Sequence, residues 1–172
     1  MNDICIQTYK SPVGEILLGS YDGRLCLADW KYRKMRGSID KRIQKGLSCE
    51  YVEVSSPVIE TTILQLNEYF EGTRKTFDIP LLMVGTDFQK SVWHGLIAIP
   101  YAKTASYLQL SKNIGNEKAV RAVASANGAN AISILIPCHR IIGSNGDLVG
   151  YAGGLPAKKK LLELESTQTL FY

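Results

Sequence analysis

The spacing of apolar residues changes along the chain, and the changes outline its elements. Between residues 3 and 31 the segments IQTY, EILLGS and RLCLADW are short and apolar-rich, separated by SPVG and YDG. Runs of this length broken by Gly- and Pro-containing turns predict a small antiparallel meander. In SSPVIETTILQLNEYFEGT the period becomes helical, with Ile59, Ile63, Leu66 and Phe70 on one expected buried face. Ser56 as cap, Pro57 at the first helical position and Gly72 just past the end bracket this helix. A strand-like run, IPLLMVGT, then ends in Gly85 and marks a boundary, so the expected domains are residues 1–84 and 85–172.

The second half reads as mainly helical. Thr86-x-x-Gln89 and Ser106-x-x-Gln109 both fit the capping box, in which the two ends satisfy each other's backbone donors. The first predicts a helix to about Ile99, stopped by Pro100; the second predicts a short helix to Ile114, ended by Gly115. Asn116 is placed to cap a third, NEKAVRAVASANG, ended by Gly128. A short helix, a Gly-containing turn and a second helix make a helix-turn-helix candidate. In the third helix Ala119, Ala122, Ala124, Ser125 and Ala126 leave little side-chain bulk, and Val120 and Val123 are placed to face the core. Lys118 and Arg121 stand three apart on one face. So slim a helix suits a nucleic-acid groove and suits tight interior packing equally. Further on, IIGSNGDLV predicts a hairpin around Asn145-Gly146. GYAGGLP predicts a loop, and LPAKKKLLELES a final helix with Leu161, Leu162 and Leu164 inward. The loop is no phosphate-binding fingerprint, because no GxGxxG opens a helix in a βαβ unit.

Charge alters this picture only in the second half. From Met1 to Val84, 11 Lys/Arg balance 11 Asp/Glu; from Gly85 to Tyr172, 9 Lys/Arg face 5 Asp/Glu, so the net +4 lies there. A polyanionic partner for the second half is consistent with that asymmetry. The basic run KYRKMRGSIDKRIQK, residues 31–45, is expected to be solvated surface. No apolar stretch approaches the roughly 20 residues of a membrane span. The N-terminus MNDICIQTYK lacks a charged-then-apolar leader, so the expected location is the cytoplasm, or the nucleus in a eukaryote.

Four cysteines, Cys5, Cys26, Cys49 and Cys138, lie far apart with no CxxC pair, which disfavours a zinc ribbon or a redox dithiol. Three are expected to be buried thiols. Cys138 differs, because ILIPCHRII interrupts an apolar, strand-like run with Pro137, Cys138, His139 and Arg140. An unperturbed thiol, of pKa about 8.5, is only a few per cent thiolate at neutral pH and needs a base or a cation to react. Neighbours on an extended strand point to opposite faces, so His139 reaches Cys138 only if the chain turns there or a water bridges them.

In ordered segments the sequence resembles the methylated-DNA–protein-cysteine methyltransferases, which act on O6-alkylguanine. The segments are FQKSVWHGLIAIPYAKTASY, IGNEKAVRAVASANGAN, ILIPCHRII and GYAGGLPAKKKLLELE, covering roughly residues 85–165 with PCHR in register. The first 84 residues fit more loosely. The resemblance implies an α+β chain: a small N-terminal domain of ribonuclease-H-like topology and a mainly helical, winged-helix-like C-terminal domain with a helix-turn-helix. It implies single-turnover DNA repair, in which Cys138 takes the alkyl group from O6-alkylguanine, and from O4-alkylthymine as a further substrate to test, and is inactivated. By the same resemblance His139 is the base and Glu165 orients it. Asn130 holds the turn under the active segment. Tyr107 presses on the lesion phosphate and donates to the leaving purine. Tyr151 and the Ala152 N–H line the pocket, Arg121 fills the space left by a flipped base, and Asn116 and Ser144 contact the DNA backbone. The implied partner is double-stranded DNA bound by a monomer, with no cofactor and no membrane.

Three departures from the family pattern stand out. Ala102 replaces a usual Gly in IPYAKT, which is expected to alter a turn without touching the chemistry. Ala131 follows Asn130 where Pro is common. Cys5 is present without the remaining Cys/His ligands of zinc-binding members, so no metal is expected. Three other readings compete. A lesion-binding relative would lack the thiol at PCHR. A Cys-His hydrolase would turn over and need neither the slim helix nor Arg121. A helix-turn-helix regulator leaves PCHR unexplained. His94 matches no catalytic position and is expected at the helix surface or the core edge.

Overall fold

The three apolar segments near the N-terminus form strands β1 (Ile4–Ser11), β2 (Gly14–Tyr21) and β3 (Arg24–Trp30) in a computed structural model that describes residues 3–169. Asp22 and Gly23 join β2 to β3 with both residues at positive φ (49° and 73°), the geometry a two-residue hairpin demands. A short strand β4 (Tyr51–Glu53) adds in parallel to β1, giving the order β3-β2-β1-β4. The IPLLMVGT run is extended but is no regular strand. It meets β3 in one bridge, Leu25 with Leu81, where Leu25 N–H donates to Pro80 O and Leu82 N–H to Leu25 O, both at 2.8 Å. That contact pairs groups on the outer edge of β3 that would otherwise be open.

The basic run 31–45 corrects the expectation of solvated surface. It contains helix α1 (Arg36–Leu47), whose Ile39 and Ile43 are buried one turn apart. Arg33 and Arg36 reach Asp29 on β3 at 3.1 and 2.8 Å, and that carboxylate is fully buried. A carboxylate taken out of water needs paired cations, and the local basic charge supplies them.

Helix α2 (Pro57–Glu71) begins and ends as the sequence predicts, with Ser56 Oγ accepting from Ile59 N–H at 3.3 Å and Gly72 at φ 82°. Its buried face is rotated, however, to Val58, Ile59, Thr62, Leu66 and Tyr69, leaving Ile63 and Phe70 half-buried. Thr62 tolerates burial because its hydroxyl donates to Val58 O at 2.7 Å.

The chain divides in sequence between Gly85 and Thr86 into two units. In the second, α3 (Asp87–Ile97) and α4 (Tyr107–Asn113) both start with a complete capping box. A Cβ on Gly95 would stand 2.7 Å from Ile114 and 2.9 Å from Leu110, so this glycine sets how closely α3 packs against the α4 region. Trp93 Nε1 donates to Ala126 O at 2.9 Å and ties α3 to α5 (Val120–Gly128). Asn116 makes no side-chain cap bond, because a 3₁₀ turn at Glu117–Ala119 moves the start of α5 to Val120. Val123 is buried and Val120 half-buried.

Two further expectations need correction. Residues 143–147 form a turn, with Gly143 N–H donating to Asp147 O, but no strands flank it as a hairpin. The last helix, α6 (Leu155–Thr169), turns Ala157, Lys158, Leu161 and Glu165 inward, while Leu162 and Leu164 are half-buried. The fold is thus mixed α+β, a sheet unit followed by a helical unit. Among the described residues no helix is long and apolar enough to cross a membrane.

Candidate active site

Residues 130–141 are all buried, yet the apolar run before Pro137 is no regular strand. Ile136 N–H donates back to Ile132 O at 2.9 Å, and Ile134 takes a left-handed φ of 72°, a strained conformation for a β-branched residue. Asn130 supports this folded segment. Its Oδ1 accepts from Ile132 N–H at 3.0 Å and its Nδ2 donates to Ile136 O at 2.9 Å. Pro137, at φ −80° and ψ 63°, turns the chain as an inverse γ-turn, with Cys138 N–H donating to Ile136 O at 2.8 Å.

Cys138, His139 and Arg140 then form a single 3₁₀ turn. Three residues per turn fan their side chains in three directions instead of the two a strand allows. All three are buried, Cys138 at 4 % exposure. This is the turn that a thiol and an imidazole adjacent in sequence require.

Glu165, 1 % exposed on α6, gathers the next layer. His139 Nε2 lies 2.7 Å from Glu165 Oε2. Arg140 donates to the same carboxylate through Nε (2.9 Å) and Nη2 (3.1 Å), and its Nη1 donates to Ile99 O at 2.7 Å. The guanidinium carbon also stands 5.7 Å from the Tyr101 ring centre. A fourth donor comes from the backbone: Ala102 N–H reaches Glu165 Oε1 at 3.2 Å, with Ala102 at φ 63°. The backbone of position 102 thus joins the Glu165 network, through a donor that alanine and glycine share.

The electrostatics follow from these partners. Burial alone would raise the Glu165 carboxyl, but the hydrogen bonds and charges of His139 and Arg140 outweigh it and bring the pKa down to about 2. Burial lowers His139 below its usual value against the opposing pull of Glu165, which keeps the imidazole neutral at neutral pH. With Nε2–H directed at an ionised Glu165, the lone pair of the neutral ring is on the buried Nδ1, which makes no protein hydrogen bond. The ring is set to accept a proton there, and the carboxylate is set to stabilise the imidazolium that results.

Tyr107 opens α4 and is held near the turn by a bridge between Ala105 and Ile141, in which Ala105 N–H donates to Arg140 O at 3.0 Å and Ile142 N–H to Ala105 O at 2.9 Å. Its hydroxyl accepts from Asn127 Nδ2 at 3.4 Å. Burial raises the Tyr107 pKa, Asn127 lowers it, and Cys138 is near enough to add a further rise, so the phenol keeps its proton.

The structure thus brings Cys138, His139, Glu165, Asn130 and Tyr107 around one turn. The remaining site residues lie outside this network. Arg121 is exposed on α5, Asn116 is exposed before the 3₁₀ turn, and Ser144 is exposed in the 143–147 turn. Tyr151 and Ala152 are half-buried in the loop before α6. Two contributors went unread in the sequence, the double grip of Arg140 and the Ala102 N–H, and Lys158, whose place in a KKK run signals exposure, is fully buried. Among the described residues no group of three or more His, Cys, Asp or Glu could hold a metal ion. Cys26 is buried, which pushes its thiol up to about 12, away from reactivity.

Two family models match the chain: the 6-O-methylguanine DNA methyltransferase ribonuclease-like domain over residues 4–83, and the DNA binding domain of the same name over residues 87–167. The chain is 45 % identical over 159 residues to a methylated-DNA–protein-cysteine methyltransferase of Methanosarcina acetivorans, covering 92 % of this chain and 96 % of that one. It is 40 % identical over 167 residues to the Mycobacterium leprae protein of the same name, covering 95 % and 93 %. Among solved structures it is similar to Mycobacterium tuberculosis OGT in complex with DNA, at a TM-score of 0.81 and 36 % identity over 98 % of this chain and 99 % of that one.

Proposed function

The chain belongs to the methylated-DNA–protein-cysteine methyltransferase family, and on that premise we propose that it repairs DNA by moving an alkyl group from O6-alkylguanine in a duplex onto Cys138. The observation that carries this reading is the relay at the 3₁₀ turn, a thiol followed directly by an imidazole whose far nitrogen meets a buried, ionised carboxylate. His139 Nδ1 takes the thiol proton through a bridging water. The thiolate then forms a bond to the alkyl carbon as the carbon–O6 bond breaks. The electron pair leaves with the purine, which takes a proton from Tyr107. Asn130 fixes the segment from which the nucleophile projects.

A thiol only 4 % exposed cannot meet a base stacked in a helix, so the guanine must be flipped out. Exposed Arg121 enters the vacated stack, Asn116 and Ser144 hold phosphates, and Tyr151 with the Ala152 N–H lines the pocket. One monomer acts on one lesion. The product is a thioether with no activated carbonyl for water to attack, so each molecule acts once.

The test is to mix the protein with a duplex containing O6-methylguanine and weigh it. One added methylene on the peptide bearing Cys138, stoichiometric and without turnover, is expected. DNA binding with no mass change would replace this reading with lesion sensing, and repeated turnover on an acyl substrate would replace it with hydrolysis.

A further inference from the structure

Asn127 is 7 % exposed near the end of α5, in a helix built mainly from alanine and valine. Packing alone would fill such a position with an apolar side chain, because a buried carboxamide short of hydrogen bonds is costly. Asn127 is left short. Its Oδ1 is buried and accepts from no protein group among the described residues. Its one side-chain hydrogen bond there is the 3.4 Å donation from Nδ2 to Tyr107 Oη. The backbone that carries this carboxamide is tied on both sides. Trp93 Nε1 donates to the carbonyl of the preceding residue, Ala126, at 2.9 Å. The Asn127 carbonyl accepts from Asn130 N–H at 3.3 Å, which joins it to the segment that leads to Cys138.

The direction of that one hydrogen bond decides what Tyr107 can do. A phenol oxygen has one proton to give and lone pairs with which to accept. An amide nitrogen offers no lone pair, so while Nδ2 donates to Oη it cannot bind the Tyr107 proton. We propose that Asn127 is a positioning residue for the transfer reaction: its Nδ2–H occupies a lone pair of Tyr107 Oη, leaves the phenol proton free for the departing purine, and holds the phenolate that remains. The proton passes from Oη to the purine as the carbon–O6 bond breaks, and the electron pair of the O–H bond stays on Oη. The proton that His139 has taken from the thiol balances the negative charge so formed. A bond of 3.4 Å to a neutral phenol is weak, and it shortens and strengthens as the oxygen gains charge. An interaction that strengthens only then lowers the barrier instead of the energy of the resting protein. Burial raises the Tyr107 pKa, and the Asn127 hydrogen bond opposes that rise, as a donor to the phenolate must.

The inference rests on Cys138 as alkyl acceptor and Tyr107 as proton donor, and its test keeps the three ideas apart. Asn127→Leu removes the donor at nearly constant size. It is expected to slow transfer from an O6-methylguanine duplex roughly tenfold or more. Alkylation of Cys138 by iodoacetamide should keep its rate, because iodide leaves without a proton. In a Tyr107→Phe background the same substitution should add almost nothing, since a residue acting through the phenol has lost its target. Undiminished transfer, equal slowing toward both electrophiles, or full additivity with Tyr107→Phe overturns the proposal. A second measurement leaves Asn127 in place and so decides the matter even if Asn127→Leu does not fold. The Asn127 side-chain amide protons, followed by ¹H–¹⁵N NMR, should move upfield in Tyr107→Phe, which takes away the acceptor and keeps the ring. Unmoved resonances overturn the proposal. A Tyr107→Phe protein that transfers at the wild-type rate overturns it together with the role given to Tyr107. Failure of the duplex to methylate the wild-type protein would instead sink the assignment of function.

Discussion

Arg140 holds Glu165 by two side-chain hydrogen bonds, of 2.9 and 3.1 Å, while the residue before it, His139, holds the same carboxylate by a third. Neighbours in sequence thus converge on one acid from the far end of the domain. The arrangement separates two tasks, since the guanidinium keeps the carboxylate charged and fixed, and the imidazole uses that charge.

Removing the guanidinium leaves a buried carboxylate short of its permanent cation. Arg140→Met is expected to lose about 3–5 kcal/mol of stability, the usual result of breaking one side of a buried pair. Urea unfolding measures it, and a loss below about 1 kcal/mol would show that the pair is only a bystander.

Glu165 also makes stability depend on acid. Its folded pKa, about 2, lies below the unfolded value near 4.5, so the unfolded chain binds more protons between those limits. Its contribution, on the order of 3 kcal/mol, is full above about pH 4.5 and is lost as pH falls towards 2. Stability curves from pH 6 to 2 should therefore fall more steeply in wild type than in Glu165→Gln; parallel curves would refute the assignment.

At position 102 an alanine occupies a left-handed conformation, at φ 63°, that glycine adopts without strain. Ala102→Gly is expected to stabilise the protein by roughly 0.5–1 kcal/mol and leave the N–H donor to Glu165 in place. Thermal melts decide the sign, and alkyl transfer should be unaffected.

Arg121 lies exposed on α5, so Arg121→Ala should change stability by less than about 0.5 kcal/mol. Transfer from duplex DNA should slow by about tenfold or more, because the space left by the flipped base goes unfilled. Transfer from free O6-methylguanine base should keep its rate. Equal slowing of both substrates would place Arg121 in the chemistry instead.

The parts of this fold that were legible in sequence are those governed by local rules. Both capping boxes, the Ser56–Pro57 start and the Asp22-Gly23 turn each need only residues within four positions. Most of what stayed hidden depends on partners distant in the chain, the face of α2 excepted. The face of α2 could not be read because Thr62 satisfies its hydroxyl within the helix and so passes as a core residue. Helix α1 shows only two buried apolar positions, and Arg36 at its start, like Arg33 just before it, is explained by Asp29 on a strand. Glu165 was visible only through family resemblance, since a glutamate late in a charged helix otherwise reads as solvated. Lys158 gave no signal at all, because nothing in KKK says which lysine turns inward.

The bond from Ala102 N–H to Glu165 spans 63 positions, and those from His139 and Arg140 span 26 and 25. Closing loops of that length comes late as a chain organises itself. Until α6 docks, Cys138 has an imidazole beside it but no carboxylate behind that imidazole, and is an ordinary, sluggish thiol. The relay behind Cys138 is thus a property of the complete helical unit and of no shorter stretch of the chain.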